Sequence, residues 1–254
     1  MSGKMGNAAK RSAANAQRTT GRQPATATMQ IHDIIHTKSP SPARGQGQHA
    51  ALSRETIIAA YRRYAPMYDK LFGAVLEPGR RALADAVATA GPQRVLEVGV
   101  GTGLTLHRYP DTCQLVGIDI CEDMLAIAIR RAERLQNHQI RLYPMDAESM
   151  RFEDGAFDCV TVPYVLSVTP NPHRLVAEIR RVCRKGGLIL VLNHFSGSRG
   201  WRLLESFARF ASARLGFRSE FDLSDNVLNH SWHVESIKTV NVLGLSRLVA
   251  IRNT

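Results

Sequence analysis

The stretch RVLEVGVGTG, residues 94–103, joins a short apolar run to a loop with glycines at alternate positions. Glycine lets a backbone approach a ligand closely, because no side chain stands in the way. A dinucleotide-binding loop needs a further glycine at the sixth position of G-x-G-x-x-G. Counted from Gly99 that position holds Leu104, and counted from Gly101 it holds Leu106. The spacing therefore disfavours a pyrophosphate and indicates another nucleotide-like ligand.

Polar residues also follow the later apolar segments. Asp119, twenty residues after Gly99, is placed to accept hydrogen bonds from a ribose diol, and its charge would repel a 2′-phosphate. Asp146 can accept a hydrogen bond from an adenine amine, and Met124 and Ala147 offer apolar contact to the ring. Together these residues describe a nucleoside-binding site. The other candidates at the segment ends are Glu97, Ile120, Tyr164 and His194.

Strand and helix segments alternate through the middle of the chain and must position these residues. Their apolar character predicts a parallel sheet covered by helices on both faces, with ligands bound at the carboxyl ends of the strands. Two closing strands paired antiparallel are predicted around Gly244. The predicted strands are 94–100, 114–120, 139–146, 157–168, 186–195, 234–242 and 245–252, and the predicted helices include 54–73, 78–90, 103–109, 122–136 and 171–183.

The first fifty residues differ in composition from the rest of the chain. They hold seven basic residues against one acidic residue, so they supply +6 of the net charge of +11. They are also too poor in large apolar residues to offset the entropy lost on ordering. We predict a disordered basic tail over residues 1–52 and one domain over 53–254, with cap helices at 53–90. The tail suits a solvated extension, an organellar transit peptide, a nucleic-acid arm or a membrane tether.

The cysteines and histidines give no sign of a metal or disulfide framework. The four cysteines form no C-x-x-C pair and lie in or beside apolar segments, which predicts buried, reduced thiols. His230 and His233 are three apart, half a metal site, but no third ligand is evident, so no metal is expected. There is also no apolar run of eighteen residues, so no membrane-spanning segment is predicted.

Four stretches together resemble the class I S-adenosylmethionine-dependent methyltransferases over roughly residues 55–254. They are VLEVGVGTG, VGIDICEDML with its Asp119, MDAE at 145–148, and FDCVTVPYVLSV. The resemblance implies an α/β, three-layer Rossmann-like fold, whose seven-stranded sheet is mostly parallel with the last strand antiparallel. It also implies S-adenosylmethionine as cofactor. The cofactor-binding residues it implies, with the candidates above, are Tyr61, Glu97, Gly99, Gly101, Asp119, Ile120, Met124, Asp146, Ala147 and Tyr164.

Three stretches narrow the resemblance further. YAPMYDKLFGAVLEPGRRAL, YVLSVTPNPHRLVAEIRRVCRKGG and LNHF are similar to the bacterial phosphatidylethanolamine N-methyltransferases of the Rhodobacter type. This implies successive methylation of phosphatidylethanolamine toward phosphatidylcholine at the cytoplasmic membrane face. The chain departs from the family in its long basic extension and in Lys185, where proline is expected. The extension leaves the mode of membrane attachment open.

Residues 199–218 predict an inserted helix with an apolar face and five arginines against the single acid Glu205. A basic amphipathic helix of this kind suits an anionic lipid surface. The same pattern is also typical of a surface helix that covers the sheet while its arginines are solvated.

Three residues are assigned to catalysis: Tyr68, Tyr164 and His194. Tyrosine rings attract the cofactor sulfonium and methylated amines by roughly 0.5–2 kcal/mol each, although core packing can explain any one tyrosine. His194 is placed to accept a proton from the substrate ammonium or, when charged, to bind the lipid phosphate. A histidine that fixes a loop by hydrogen bonding is the alternative.

The sequence thus predicts a cytoplasmic, peripherally membrane-bound phospholipid N-methyltransferase. A methyltransferase for a quinone precursor or another small acceptor is the first alternative. A non-catalytic, basic nucleic-acid-binding protein on a degenerate methyltransferase fold is the second, although the intact Gly99, Gly101, Asp119 and Asp146 argue against degeneracy. Nucleic acid is therefore not the expected partner, and the sequence predicts no oligomeric state.

Overall fold

The computed structural model describes Asp69 and residues 73–137, 139–194, 233–241 and 244–254. Seven strands within these ranges form one sheet. The strands are β1 Arg94–Val98, β2 Gln114–Asp119, β3 Ile140–Pro144, β4 Phe157–Pro163, β5 Cys183–His194, β6 His233–Val240 and β7 Ser246–Arg252. The helices are α1 Glu77–Ala90, α2 Glu122–Leu135 and α3 Pro172–Val182, and Leu106–Arg108 forms a 3₁₀ turn.

The sheet has the strand order β3-β2-β1-β4-β5-β7-β6. Strands β1 to β5 pair in parallel, whereas β7 is antiparallel to both of its neighbours, β5 and β6. The predicted mostly parallel, seven-stranded sheet with an antiparallel last strand is confirmed. Strand order reverses at β1, between β2 and β4, and this is where an open parallel sheet leaves a crevice at its carboxyl edge.

Apolar side chains cover both faces of the sheet. On one face α1 contributes Leu83 and Val87, and α2 contributes Leu125. On the other face α3 contributes Leu175 and Ile179. All five side chains are almost fully buried, and burial stabilises the fold by roughly 1.5–3 kcal/mol for each large aliphatic side chain. The predicted three-layer arrangement is therefore confirmed.

Some predicted boundaries were wrong for local reasons. The helix predicted over 103–109 is only the short 3₁₀ turn, because Tyr109 precedes a proline and is extended, with ψ 144°. The strand predicted over 157–168 ends at Pro163, because Tyr164 has a left-handed backbone with φ 62°. Strand β5 begins at Cys183, directly after α3, rather than at residue 186.

Other predictions have different outcomes. The four cysteines are buried free thiols, as expected. No helix among the described residues is both long and apolar enough to cross a bilayer. The tail at 1–52 and the inserted helix at 199–218 lie outside the described residues, as does nearly all of the first helix at 54–73. These three remain predictions.

Candidate functional site

A cleft opens at the carboxyl ends of the central strands. Its volume is about 860 Å³, counting the solvent at its mouth. The cleft brings together most of the predicted cofactor-binding residues, which come from four separate stretches of the sequence. Those lining it are Gly99, Gly101, Asp119, Ile120, Met124, Asp146, Ala147 and Tyr164.

The glycine loop after β1 forms one wall of the cleft. Gly99 and Gly103 have left-handed backbones, with φ 70° and 79°. A Cβ atom at Gly99 would lie 2.3 Å from a methyl carbon of Val165, and one at Gly103 would lie 3.1 Å from Cα of Ala128 on α2. The loop therefore fits between α2 and the segment after β4 only because these positions have no side chain.

Asp119 ends β2 with its carboxylate held by backbone amides. One oxygen accepts a hydrogen bond from the Gly101 N–H and the other from the Cys121 N–H, both at 2.8 Å. Loss of water contact raises the pKa of Asp119, and these amides act against that rise. Each oxygen keeps a second lone pair, so the carboxylate is oriented for a diol. Its place beside the open glycine loop and the apolar Met124 fits the ribose and base of S-adenosylmethionine.

The segment after β3 forms the floor of the cleft and is tied to the start of α3. Asp146 accepts a hydrogen bond from the Glu148 N–H at 2.9 Å. Glu148, which is buried, accepts hydrogen bonds from the Thr169 hydroxyl at 2.6 Å and the Asn171 N–H at 2.7 Å. Glu148 and Thr169 also line the cleft. Their sequence signal was weak, because a glutamate after a strand and a threonine before a helix are common turn residues.

Glu97 lies in β1 and does not line the cleft. Its side chain is 1% exposed, and neither carboxylate oxygen has a hydrogen-bond partner among the described residues. Burial raises the pKa of Glu97 to about 7, while the nearby hydroxyls of Tyr109 and Thr105 and the charge of Arg80 act in the opposite direction. The Tyr109 hydroxyl pairs with Thr161 instead, at 2.9 Å. Glu97 is thus a buried carboxyl group without a hydrogen-bond partner among the described residues, two positions before Gly99.

Tyr164 forms the opposite wall of the cleft, and its backbone and hydroxyl are both fixed. Its N–H donates to the Leu192 carbonyl at 2.6 Å, which holds the left-handed conformation. Its hydroxyl accepts a hydrogen bond from the Asn241 side-chain amide at 2.9 Å. The Asn241 oxygen in turn accepts from the Gly79 N–H at 2.6 Å. Tyr164 is therefore anchored to α1 and to the residue that follows β6.

His194 lies behind Tyr164 rather than in the cleft lining, and the two ring centroids are 5.0 Å apart. Its Nδ1 atom lies 2.8 Å from the Ser246 hydroxyl and 3.2 Å from the Leu245 carbonyl oxygen. Loss of water contact lowers the pKa of His194 below its usual range, with the Leu245 carbonyl acting against this. This shift disfavours the charged ring, and with it the predicted phosphate contact.

Two residues of this network, Asn241 and Ser246, were not among the site residues predicted from the sequence. Asn241 donates to both Tyr164 and Ser246, the second contact being 2.7 Å long. Asn241 fell inside the predicted strand 234–242, close to its end, where an asparagine is ordinary. Tyr61 and Tyr68 lie outside the described residues, so their roles remain predictions. No cluster of three potential metal ligands occurs within the described ranges, and His230 lies outside them.

This chain is similar to known proteins in both sequence and fold. The methyltransferase-domain family profile matches residues 96–191. A phosphatidylethanolamine N-methyltransferase from Cereibacter sphaeroides is 41% identical over 170 residues, which cover 66% of this chain and 82% of that protein. A demethylmenaquinone methyltransferase from Thermus thermophilus is 37% identical over 136 residues, which cover 50% of this chain and 61% of that protein.

A solved structure supports the same fold. The crystal structure of a SAM-dependent methyltransferase from Thermotoga maritima has a TM-score of 0.60 at 19% identity and covers 77% of this chain and 99% of that chain. This chain belongs to the class I S-adenosylmethionine-dependent methyltransferases. It is an enzyme, and its cofactor is S-adenosylmethionine. The predicted class and cofactor are thus confirmed against the alternative of a non-catalytic binding protein.

Proposed function

We propose that this enzyme methylates the amine of phosphatidylethanolamine and of its mono- and dimethyl forms, toward phosphatidylcholine. The observation that carries the proposal is the 41% identity to a phosphatidylethanolamine N-methyltransferase, over 82% of that protein's length. A quinone precursor is the second candidate acceptor, because a demethylmenaquinone methyltransferase is 37% identical over a shorter span.

The proposed cofactor position is the wall made by the glycine loop and Asp119. Asp119 would hold the ribose hydroxyls, Asp146 would accept from the adenine amine, and Met124 would contact the ring. Gly99 and Gly101 leave space for the amino-acid part. When bound there, S-adenosylmethionine supplies an electrophilic methyl group on a cationic sulfonium.

The remaining wall has properties that suit an amine acceptor. The amine must lose its proton before it can attack, and an apolar environment favours the neutral form of an amine. Val165, Val168 and Pro163 line the cleft beside Tyr164. They exclude water, and the Tyr164 ring offers its face to the positive charge of the methylated product. Holding both reactants in line can lower the barrier by roughly 7–11 kcal/mol.

His194 is the proposed proton acceptor. Its lowered pKa favours the neutral ring, and a neutral imidazole can take the proton that the substrate ammonium loses. The ring stacks behind Tyr164, so a proton must pass the tyrosine or a water beside it to reach the ring.

An anionic membrane surface is the proposed partner, and the cytoplasmic membrane face is the proposed location. Both follow from a phospholipid acceptor and from the arginine-rich sequence at 199–218. The acceptor is itself a membrane component, so the enzyme must meet it at the lipid surface. Basic residues close to an anionic surface favour such binding.

Transfer of labelled methyl groups tests the acceptor. The protein is incubated with labelled S-adenosylmethionine and phosphatidylethanolamine vesicles, with or without anionic lipid, and products are separated by degree of methylation. Labelled phospholipid, formed faster on anionic vesicles, is expected. Asp119→Ala, which removes the proposed ribose contact, serves as the negative control. In a parallel assay with demethylmenaquinone, labelled menaquinone without any labelled lipid would replace the phospholipid assignment with the quinone one.

A further inference from the structure

Asp69, Thr102 and Arg131 form a closed ring of contacts over the glycine loop. The Thr102 hydroxyl donates to one Asp69 oxygen at 2.6 Å. The Arg131 guanidinium donates to the other Asp69 oxygen and to the Thr102 backbone carbonyl, both at 2.7 Å. Each member therefore contacts the other two. These residues come from the segment before α1, from the glycine loop and from α2.

Thr102 stands between Gly101 and Gly103, at the middle of the loop, and is 2% exposed. Both its hydroxyl and its carbonyl are used in the ring, so its orientation depends on Asp69 and Arg131. Glycines on both sides give this part of the loop more conformational freedom than any other residue type would. Contacts from outside the loop are thus needed to hold it in one shape.

Asp69 is also joined to the start of α1. Its backbone carbonyl accepts a hydrogen bond from the Gly73 N–H at 2.8 Å. The Gly73 carbonyl accepts one from the buried side chain of Arg80 on α1. Asp69 is therefore linked both to Gly73, ahead of α1, and to the glycine loop.

We propose that Asp69, Thr102 and Arg131 act as a positioning clamp that couples the chain before α1 to the cofactor. With the clamp closed, the glycine loop keeps the shape that binds the cofactor. Because binding energies between two sites are reciprocal, a bound cofactor also holds Asp69 in place. The inference rests on the proposed cofactor position and is independent of the acceptor.

Binding of S-adenosylhomocysteine, followed by calorimetry, tests the clamp without turnover. Asp69→Asn and Arg131→Met should each weaken binding by about tenfold, the usual cost of one charged hydrogen bond. The double variant should bind almost as well as either single variant, because one contact ring is lost in all three. Arg130→Met removes an exposed charge from the same helix and should bind as the wild type does. Additive losses, or no loss in the single variants, would overturn the clamp.

Thr102 gives a test that separates a specific contact from a folding defect. Thr102→Val keeps the shape of the side chain but removes the hydroxyl, and should weaken binding as Asp69→Asn does. Thr102→Ser keeps the hydroxyl and should restore most of the affinity. Equal affinities of the valine and serine variants, at equal melting temperatures, would contradict the role of the hydroxyl.

Limited trypsin digestion measures the coupling in the opposite direction. Lys70 follows Asp69 directly and is a trypsin cleavage site. Saturating S-adenosylhomocysteine should slow cleavage there in the wild type but not in Asp69→Asn. Equal protection in both proteins would overturn the coupling. If Asp119→Ala binds S-adenosylhomocysteine as the wild type does, the cofactor position is wrong and the clamp falls with it; if only the Asp69 variant is unaffected, the clamp alone is wrong.

Discussion

The two walls of the cleft are held in place by different kinds of contact. In the proposed cofactor wall, made of the glycine loop and Asp119, the Asp119 carboxylate is fixed by backbone amides of Gly101 and Cys121. In the proposed acceptor wall, formed by Tyr164 with His194 behind it, the side chains are fixed by other side chains. Asn241 holds Tyr164 from 77 positions away, and Ser246 contacts His194 from 52 positions away.

The difference has a consequence for substitution. A wall built on backbone amides depends on the shape of the loop itself, and therefore on the contacts of Thr102 with Asp69 and Arg131. A wall built on long-range side-chain contacts can be loosened by a change far from the ligand. We therefore expect losses of stability and cofactor affinity in the first wall, and losses of turnover in the second.

The largest expected effect is at the point where the walls touch. Gly99→Ala should lower the free energy of unfolding by roughly 3 kcal/mol, since a left-handed alanine costs about 1–2 kcal/mol and a clash with Val165 adds about 1–3 kcal/mol. Gly91 has a similar φ of 59° but nothing near its missing side chain, so Gly91→Ala should lose only about 1 kcal/mol. Urea unfolding measures both.

A double variant isolates the clash in that prediction. Adding Val165→Ala to Gly99→Ala removes the methyl groups that the new Cβ meets. The pair should therefore be more stable than the sum of the two single losses predicts. Simple additivity would mean that only backbone strain matters at Gly99.

Asp119→Ala should weaken S-adenosylhomocysteine binding by about 1.5–3 kcal/mol, because a charged acceptor of the ribose hydroxyls is lost. Calorimetry gives the affinity, and His194→Ala provides the control from the other wall, with affinity near that of the wild type. If Asp119→Ala bound S-adenosylhomocysteine as tightly as the wild type does, the ribose would have to bind elsewhere.

Glu97→Gln should change how stability depends on pH. The folded pKa of Glu97, about 7, lies above the ordinary value of 4.5, so the folded protein holds this proton more tightly than the unfolded chain does. The wild type should thus lose stability as pH rises from 5 to 7.5, by roughly 2 kcal/mol from this group. Urea unfolding across that range should show a smaller loss in Glu97→Gln, and identical slopes would contradict the raised pKa.

The smallest expected effects lie in the acceptor wall. Asn241→Ala and His194→Ala should each lower turnover by about tenfold, equivalent to roughly 1.4 kcal/mol. Asn241→Ala frees the Tyr164 side chain that lines the proposed amine site, and His194→Ala removes the proposed proton acceptor. Cofactor affinity should stay near that of the wild type. A turnover loss shared with Asn137→Ala, an exchange of the same type far from the cleft, would point to a general loss of stability instead.

The cofactor wall was largely predictable from the sequence, whereas the acceptor wall was not. Asp119 and Asp146 directly follow apolar strands, and parallel strands bring their carboxyl ends to the same edge. Asn241 and Ser246 reach Tyr164 and His194 only through the antiparallel pairing of β7 with β5 and β6. That pairing sets a register between distant residues, and no local pattern encodes it.

Backbone conformation explains the other misses. The apolar run around Tyr164 predicts a continuing strand, but a left-handed tyrosine cannot extend one. The glycine loop similarly suggests the start of a helix, yet Pro110 leaves room only for one 3₁₀ turn. The contacts among Asp69, Thr102 and Arg131 could not be predicted for a further reason. Aspartate, threonine and arginine on helices and loops are usually solvated, so their presence in the sequence does not indicate that they contact one another.

The position of β7 between β5 and β6 also makes one wall of the cleft depend on strands that are synthesised late. Proteins emerge from the ribosome amino-terminus first, and β6 joins the sheet through β7, which ends at Arg252. Strands β1 to β5 can pair before that point, so the glycine loop and Asp119 can take their places on a growing chain. Ser246 reaches His194 only when the last strand is made. The cofactor wall can therefore form before the side chains that support the acceptor wall have been synthesised.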